Sequence, residues 1–186
     1  EGMIGMSENV FLNLKNKSHT ITAEVQVPKG GAKGVILAQA GRFGGWSLYM
    51  KNGKPTYTYN FLGLKRFTIT AKQPVPDGKT TIRFEFAYEG GGLGKGGTGT
   101  LFVNGKRVAQ GRVEQTQPFI FSADEGADVG EDGETPVVEN YGIQAPYKFT
   151  GKINKITIDL KEMKTADKEK AGMAHKEASL KKALSD

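Results

Sequence analysis

GVILAQAGRFGGWSLYMKNGKPTYTYNFLGLKRF, residues 34–67, holds the only tryptophan of the chain and two opposed strand patterns joined by Asn52-Gly53. Val35, Leu37, Trp46, Leu48 and Met50 mark the approach to that turn, and Tyr57, Tyr59 and Phe61 mark the exit. Asn-Gly between two such runs is the strongest short-range hairpin signal, because both residues accept the positive φ of a primed turn. The spacing therefore predicts a β-hairpin over 46–61. Just before it, Gly41-Arg42-Phe43-Gly44-Gly45 interrupts the pattern, with glycines suited to a bulge or tight corner.

Outward from this hairpin the same period of two recurs. Upstream, Ile21, Ala23, Val25 and Val27 fall on one face of 19–27, and Pro28-Lys29-Gly30-Gly31 ends that strand. Downstream come a short strand with Phe67 and Ile69 on one side and a Pro-Val-Pro-Asp-Gly turn at 74–78. Then follows the clearest strand, with Ile82, Phe84, Phe86 and Tyr88 inward. Asn104-Gly105 joins strands over 98–103 and 106–113 into a second hairpin. Pro118 to Ser122 is a short apolar run, and 123–140 reads as an acidic loop. Residues 148–160 close the β part with Ile153, Ile156 and Ile158 as core positions, their imperfect period allowing a bulge. From Thr165 the composition turns to Ala, Lys and Glu, and Met173, Leu180 and Leu184 recur at helical spacing, so a helix is expected over 165–184. The expected organisation is a lead-in over 1–13, an all-β, two-sheet antiparallel sandwich over 14–160 and a helical tail over 161–186.

Composition agrees with many short strands. The 186 residues are 37% hydrophobic, with 26 glycines and 7 prolines to supply turns. No run approaches the roughly 20 apolar residues that cross a bilayer as a helix, and no membrane partner is expected on that ground. With no cysteine, disulfides, thiolate metal sites and thiol nucleophiles are excluded. The chain starts at Glu1 without an initiator methionine, which suggests excision or cleavage from something larger. The net charge of +6 is unevenly laid out: 113–147 has no Lys or Arg and carries −8, leaving +14 for the rest. The basic excess is scattered rather than clustered with aromatics, so nucleic acid is not expected as a partner.

Three stretches could carry chemistry. In the acidic loop, closely spaced carboxylates and glycines could curl around a hard cation such as Ca²⁺, using some of Asp124, Asp128, Glu131 and Asp132. The bland alternative is a solvated loop docking against basic residues. Arg42 and Phe43 with Trp46, Tyr49, Tyr57 and Tyr59 could form a platform for a sugar, aromatic faces stacking on C–H surfaces and the arginine clamping an acid group. Alternation divides this set, placing Tyr49 opposite Trp46, and core packing is the competing job for Trp46. Gly92 to Gly97 satisfies G-x-G-x-x-G literally, but a strand follows where a dinucleotide fold needs a helix, leaving a strand connection or a contact loop through Lys95. His19 and His175 have neither zinc-ligand spacing nor a nucleophile elbow beside them.

The runs LAQAGRFGGWSLY, YTYNFLGLKRF, RFEFAYEGGGLGKGGTGTLFVNGKRVAQGRV and FSADEGADVGEDGETPV, in this order within 14–160, resemble the C-terminal accessory domain of bacterial arylsulfatases. The resemblance implies a laminin-G or concanavalin-like sandwich of the jelly-roll kind that packs on a sulfatase catalytic domain, in the periplasm or outside the cell. The chain lacks the C/S-x-P-x-R run from which a sulfatase makes its nucleophile, so it should hydrolyse nothing by itself. Two other readings stand beside this one. A carbohydrate-binding module would recognise sulfated or acidic glycans. A free-standing interaction protein would bury Met173, Leu180 and Leu184 against a second copy.

Overall fold

The computed structural model describes residues 3–7, 11–121, 126–133, 135–161 and, further on, 169, 172–173 and 176–177. Ten strands follow in order: β1 His19–Val27, β2 Gly34–Gly41, β3 Gly44–Lys51, β4 Lys54–Phe61, β5 Lys65–Thr70, β6 Gly78–Tyr88, β7 Gly97–Val103, β8 Lys106–Val113, β9 Ala127–Val129 and β10 Lys152–Leu160. They form two five-stranded antiparallel sheets, a first of order β10-β1-β6-β7-β8 and a second of order β5-β4-β3-β2-β9. The all-β sandwich expected from the sequence is the fold observed. Glu169, Gly172, Met173, Lys176 and Glu177 are helical. The remainder of 165–184, with His175, Leu180 and Leu184, lies outside the described residues. None of the described helical residues belongs to a helix long and apolar enough to cross a membrane.

Both Asn-Gly pairs do what their chemistry requires. Asn52 and Gly53 take φ of 52° and 73° between β3 and β4, and Asn104 and Gly105 take 48° and 79° between β7 and β8. Pairing of Trp46 with Tyr59 and of Leu48 with Tyr57 then fixes which side chains share a face. Trp46, Leu48, Met50, Tyr57 and Tyr59 point inward to meet Ile21, Ile82, Phe84 and Leu101 of the first sheet. Trp46 stacks on Tyr57 at 6.2 Å, and Tyr57 on Phe84 at 3.6 Å and 10°, so an aromatic column bridges the sheets. Burying a large apolar side chain contributes about 1.5–3 kcal/mol, which is why these hairpins are held to one register.

One place departs from the sequence reading, and one carries the bulge that the imperfect period of 148–160 allowed. The acidic stretch contains an edge strand: β9 pairs with β2, Asp128 opposite Ala38, and the lead-in joins it through the Met6–Ala127 bridge. A strand of three residues with one acid among them is too short for an alternation signal. In β10, Lys155 pairs with Glu24 and Ile153 with Val25, so Asn154 is an inserted residue and interrupts the period.

A segment over 130–133 and 135–148 crosses back over the outer side of the second sheet. Its Val137 and Tyr141 pack with Val35, Ala38 and Tyr49, forming a second small core outside the sandwich. Gly34, at φ +93°, permits the crossing, since a Cβ there would stand 2.1 Å from the carbonyl oxygen of Lys148.

Candidate functional site

The inward–outward division of β3 and β4 decides which of the sequence-designated residues can meet a ligand. Trp46 is 1% exposed and donates from Nε1 to Gln39 Oε1 at 2.9 Å. Tyr57 is closed between Trp46 and Phe84, and the Tyr59 hydroxyl accepts from Gln117 N–H at 2.7 Å. These three rings offer no face to a sugar, because facing the first sheet buries far more apolar area than facing water would. Arg42 and Phe43 sit apart from them on the exposed β2–β3 turn. Lys95 is exposed in the β6–β7 loop, its N–H donating to the Tyr88 hydroxyl at 2.9 Å. The platform expected from adjacency in sequence is thus split between core and surface.

The acidic residues have also been put to structural use. Asp132 is buried, accepting from the N–H groups of Gly133 and Val137, both at 3.0 Å, and from the Tyr141 hydroxyl. Burial pushes its carboxyl up to about 7; the nearby Asp128 acts in the same direction, and the three donors pull against both. Burial likewise holds the Tyr141 hydroxyl well above its ordinary range, with the neighbouring Asp132 adding to it. Asp128 accepts from Gly5 N–H at 2.5 Å, and Glu131 lies 3.6 Å from Lys148. Asp124 lies outside the described residues. Among the described residues, no three His, Asp or Glu side chains gather as a metal set. Asp132 works instead as a clamp that holds the crossing segment on the sheet.

That clamp creates one wall of an open groove on the outer face of the second sheet. Its volume is about 340 Å³ and it is lined by Tyr49, Lys51, Arg66, Thr68, Thr70 and by 138–140 of the crossing segment. On the floor, Thr68 and Thr70 are exposed, and beneath them the buried Thr58 Oγ1 joins the Tyr49 hydroxyl at 3.1 Å to Thr68 Oγ1 at 3.0 Å. A row of hydroxyls that each donate and accept suits a polyol. Two cations frame the row. Lys51 donates from Nζ to the Asn140 carbonyl at 2.8 Å, and Arg66 donates from Nε to the Val137 carbonyl at 3.0 Å with Glu139 3.6 Å away. Alternation already placed Tyr49 outward; Lys51, Arg66 and the threonines carry no motif, and only the crossing segment makes a groove of them.

No family model and no curated protein matches the sequence. Solved structures do match. The CBM40 domain of the Ruminococcus gnavus IT-sialidase, bound to α2,3-sialyllactose, aligns at 18% identity and TM-score 0.53 over 84% of this chain and 82% of that one. Domains LG4-5 of the mouse laminin α1 chain align at 13% and TM-score 0.58 over 85% of this chain and 39% of that one. NanB in complex with Optactamide aligns at 15% and TM-score 0.59 over 87% of this chain and 24% of that one. At these identities the shared property is the laminin-G-like sandwich itself.

Proposed function

We propose that the chain is a carbohydrate-binding module whose ligand lies in the groove over Tyr49, Thr68 and Arg66, and that it prefers acidic glycans. The observation that carries this reading is the groove's make-up: a hydroxyl-lined floor between Lys51 and Arg66, open enough to admit a sugar ring. A carboxylate or sulfate on the sugar would take the guanidinium edge from the exposed Glu139, 3.6 Å away, while Nε stays committed to Val137, and charge-assisted bonds of this kind are the stronger ones. The sialidase CBM40 neighbour with its bound sialyllactose supports a glycan ligand for this fold by analogy. Calorimetric titration with sialyllactose, a sulfated oligosaccharide and a neutral oligosaccharide tests it. Binding of an acidic sugar that Arg66→Ala weakens at least tenfold is the expected result. Equal binding of the neutral sugar, or binding that survives Arg66→Ala, would defeat it.

The role as an accessory domain attached to an arylsulfatase-type catalytic domain rests on the resemblance of the four sequence runs. It is compatible with glycan binding, since a module that holds a sulfated polymer would serve such an enzyme. Bound Ca²⁺ would need the acids of 124–132, of which Asp132 is already satisfied by three donors.

A further inference from the structure

One end of the sandwich gathers apolar side chains that the core does not use. The β2–β3 turn exposes Phe43 at 71%, the β4–β5 turn exposes Leu62 and Leu64 at 48% and 82%, and the loop after β8 exposes Phe119 and Ile120 at 45% and 57%. These three turns are fastened to one another. Asn60 donates from Nδ2 to the carbonyls of Gly41 and Arg42 at 2.9 and 2.8 Å, and its Oδ1 accepts from Gly63 N–H at 3.0 Å. Gln117, in the loop after β8, lies against the end of the same β2–β3 turn, where a Cβ on Gly44 would stand 2.2 Å from its Oε1, and its Nε2 donates to the Ile120 carbonyl at 3.1 Å. The apolar tips are therefore presented by a buried amide scaffold rather than by loose loops.

Cations sit beside the tips. Arg42 precedes Phe43 on an exposed turn, and Lys65, which pairs with Glu114, follows Leu64. Lys15, over the Phe121 ring at 4.8 Å, is buried and belongs to the support of the loop, so Arg42 and Lys65 are the exposed cations here. Scattered exposed apolar residues are ordinary, but five large ones on three tied turns at one end mark a contact surface. Separate protruding tips with adjacent cations fit a fluid surface with anionic headgroups, which takes up any outline, better than a protein, which needs a matching one.

We propose that this end of the molecule docks on an anionic lipid bilayer, Phe43, Leu62 and Leu64 entering the interface while Arg42 and Lys65 meet the headgroups. This is contact with a membrane surface, which the lack of a spanning segment leaves open. Co-sedimentation of the whole chain with phosphatidylcholine vesicles and with phosphatidylcholine–phosphatidylserine vesicles tests it. The expected result is binding to the mixed vesicles above that to the pure ones, reduced roughly tenfold or more by Phe43→Ser with Leu64→Ser. Both positions are exposed, so the thermal midpoint should not move, and Ile4→Ser, far from these turns, should leave binding intact. A Leu64→Trp variant quenched by brominated lipid would place the tip in the interface. Absence of binding, equal binding to both vesicles, or binding untouched by the tip variants would overturn the proposal. So would a concentration-dependent dimer that Phe43→Ser dissolves, which would assign the surface to a second copy.

Discussion

The two hydrophobic regions of this molecule lie on opposite faces of one sheet, and each holds a buried ionisable group shifted in the opposite sense. Between the sheets, His19 is buried beside Phe86, its ring centroid 5.4 Å away, and burial pushes it down to about 4. Outside, beneath the crossing segment, burial pushes Asp132 up to about 7. The inner region is held by area, an aromatic column and strand after strand of β-branched residues. The outer one is held by a buried carboxyl with three donors, by the Lys51 and Arg66 bonds to the Asn140 and Val137 carbonyls, and by a handful of apolar contacts. Area is spread over many residues, so the inner region carries the stability of the fold. Polar satisfaction is concentrated in a few atoms, so the outer region is where local opening should begin.

Trp46→Ala should test the first half of that contrast most severely. It removes the largest core side chain and leaves the Gln39 amide without its donor, costing about 3–5 kcal/mol in denaturant unfolding. A loss below about 1 kcal/mol would mean that the aromatic column is not what holds the sheets together. Next in size come the opposed pH responses. His19 is neutral when folded, so its contribution is intact above 6.5 and is lost as pH falls toward about 4. Asp132 runs the other way: the folded state binds its proton more tightly than the unfolded chain, so stability declines as pH rises from 3.8 toward about 7. Each swing is on the order of a few kcal/mol. Thermal melts across pH 4–7 should therefore separate the variants. His19→Gln should lose stability as pH rises and Asp132→Asn should gain it, and matching slopes would break the contrast.

Smaller effects sharpen the comparison. Tyr141→Phe deletes one donor to Asp132 and should cost about 1–3 kcal/mol. Hydrogen exchange should speed up in 131–148 while β6 stays protected; uniform acceleration would show that the two regions open as one. Arg66→Ala removes a tether to Val137 at a half-buried position and should change global stability by no more than about 1 kcal/mol. Acidic glycan binding should nonetheless suffer, because Arg66 frames the groove; a large loss of stability would make it a structural residue instead.

How much of this was legible beforehand follows from the range of the interactions. Asn52-Gly53 and Asn104-Gly105 announced their hairpins because a primed turn is a local conformational demand. The alternation over 19–27 and 81–88 gave the core face because a strand's period is local too. Pairing of residues 46 and 57 with a ligand failed for the complementary reason. Adjacency to Arg42 is visible in the chain, whereas the stacking of Tyr57 on Phe84 of the other sheet is a long-range contact.

The sequence by itself determined the all-β class, the two hairpins, the inward faces of their strands and the absence of thiol chemistry, since each rests on residue type and short spacing. Only the tertiary structure decided that the acidic stretch yields an edge strand and a buried clamp rather than a ring of free carboxylates. Only there do Lys51, Arg66 and the hydroxyls of Tyr49, Thr68 and Thr70 share one groove, and only there do Phe43, Leu62 and Leu64 meet at one end. These arrangements depend on which strands neighbour each other and on where 130–148 crosses them, and chain closure over such distances leaves no period in the sequence to read.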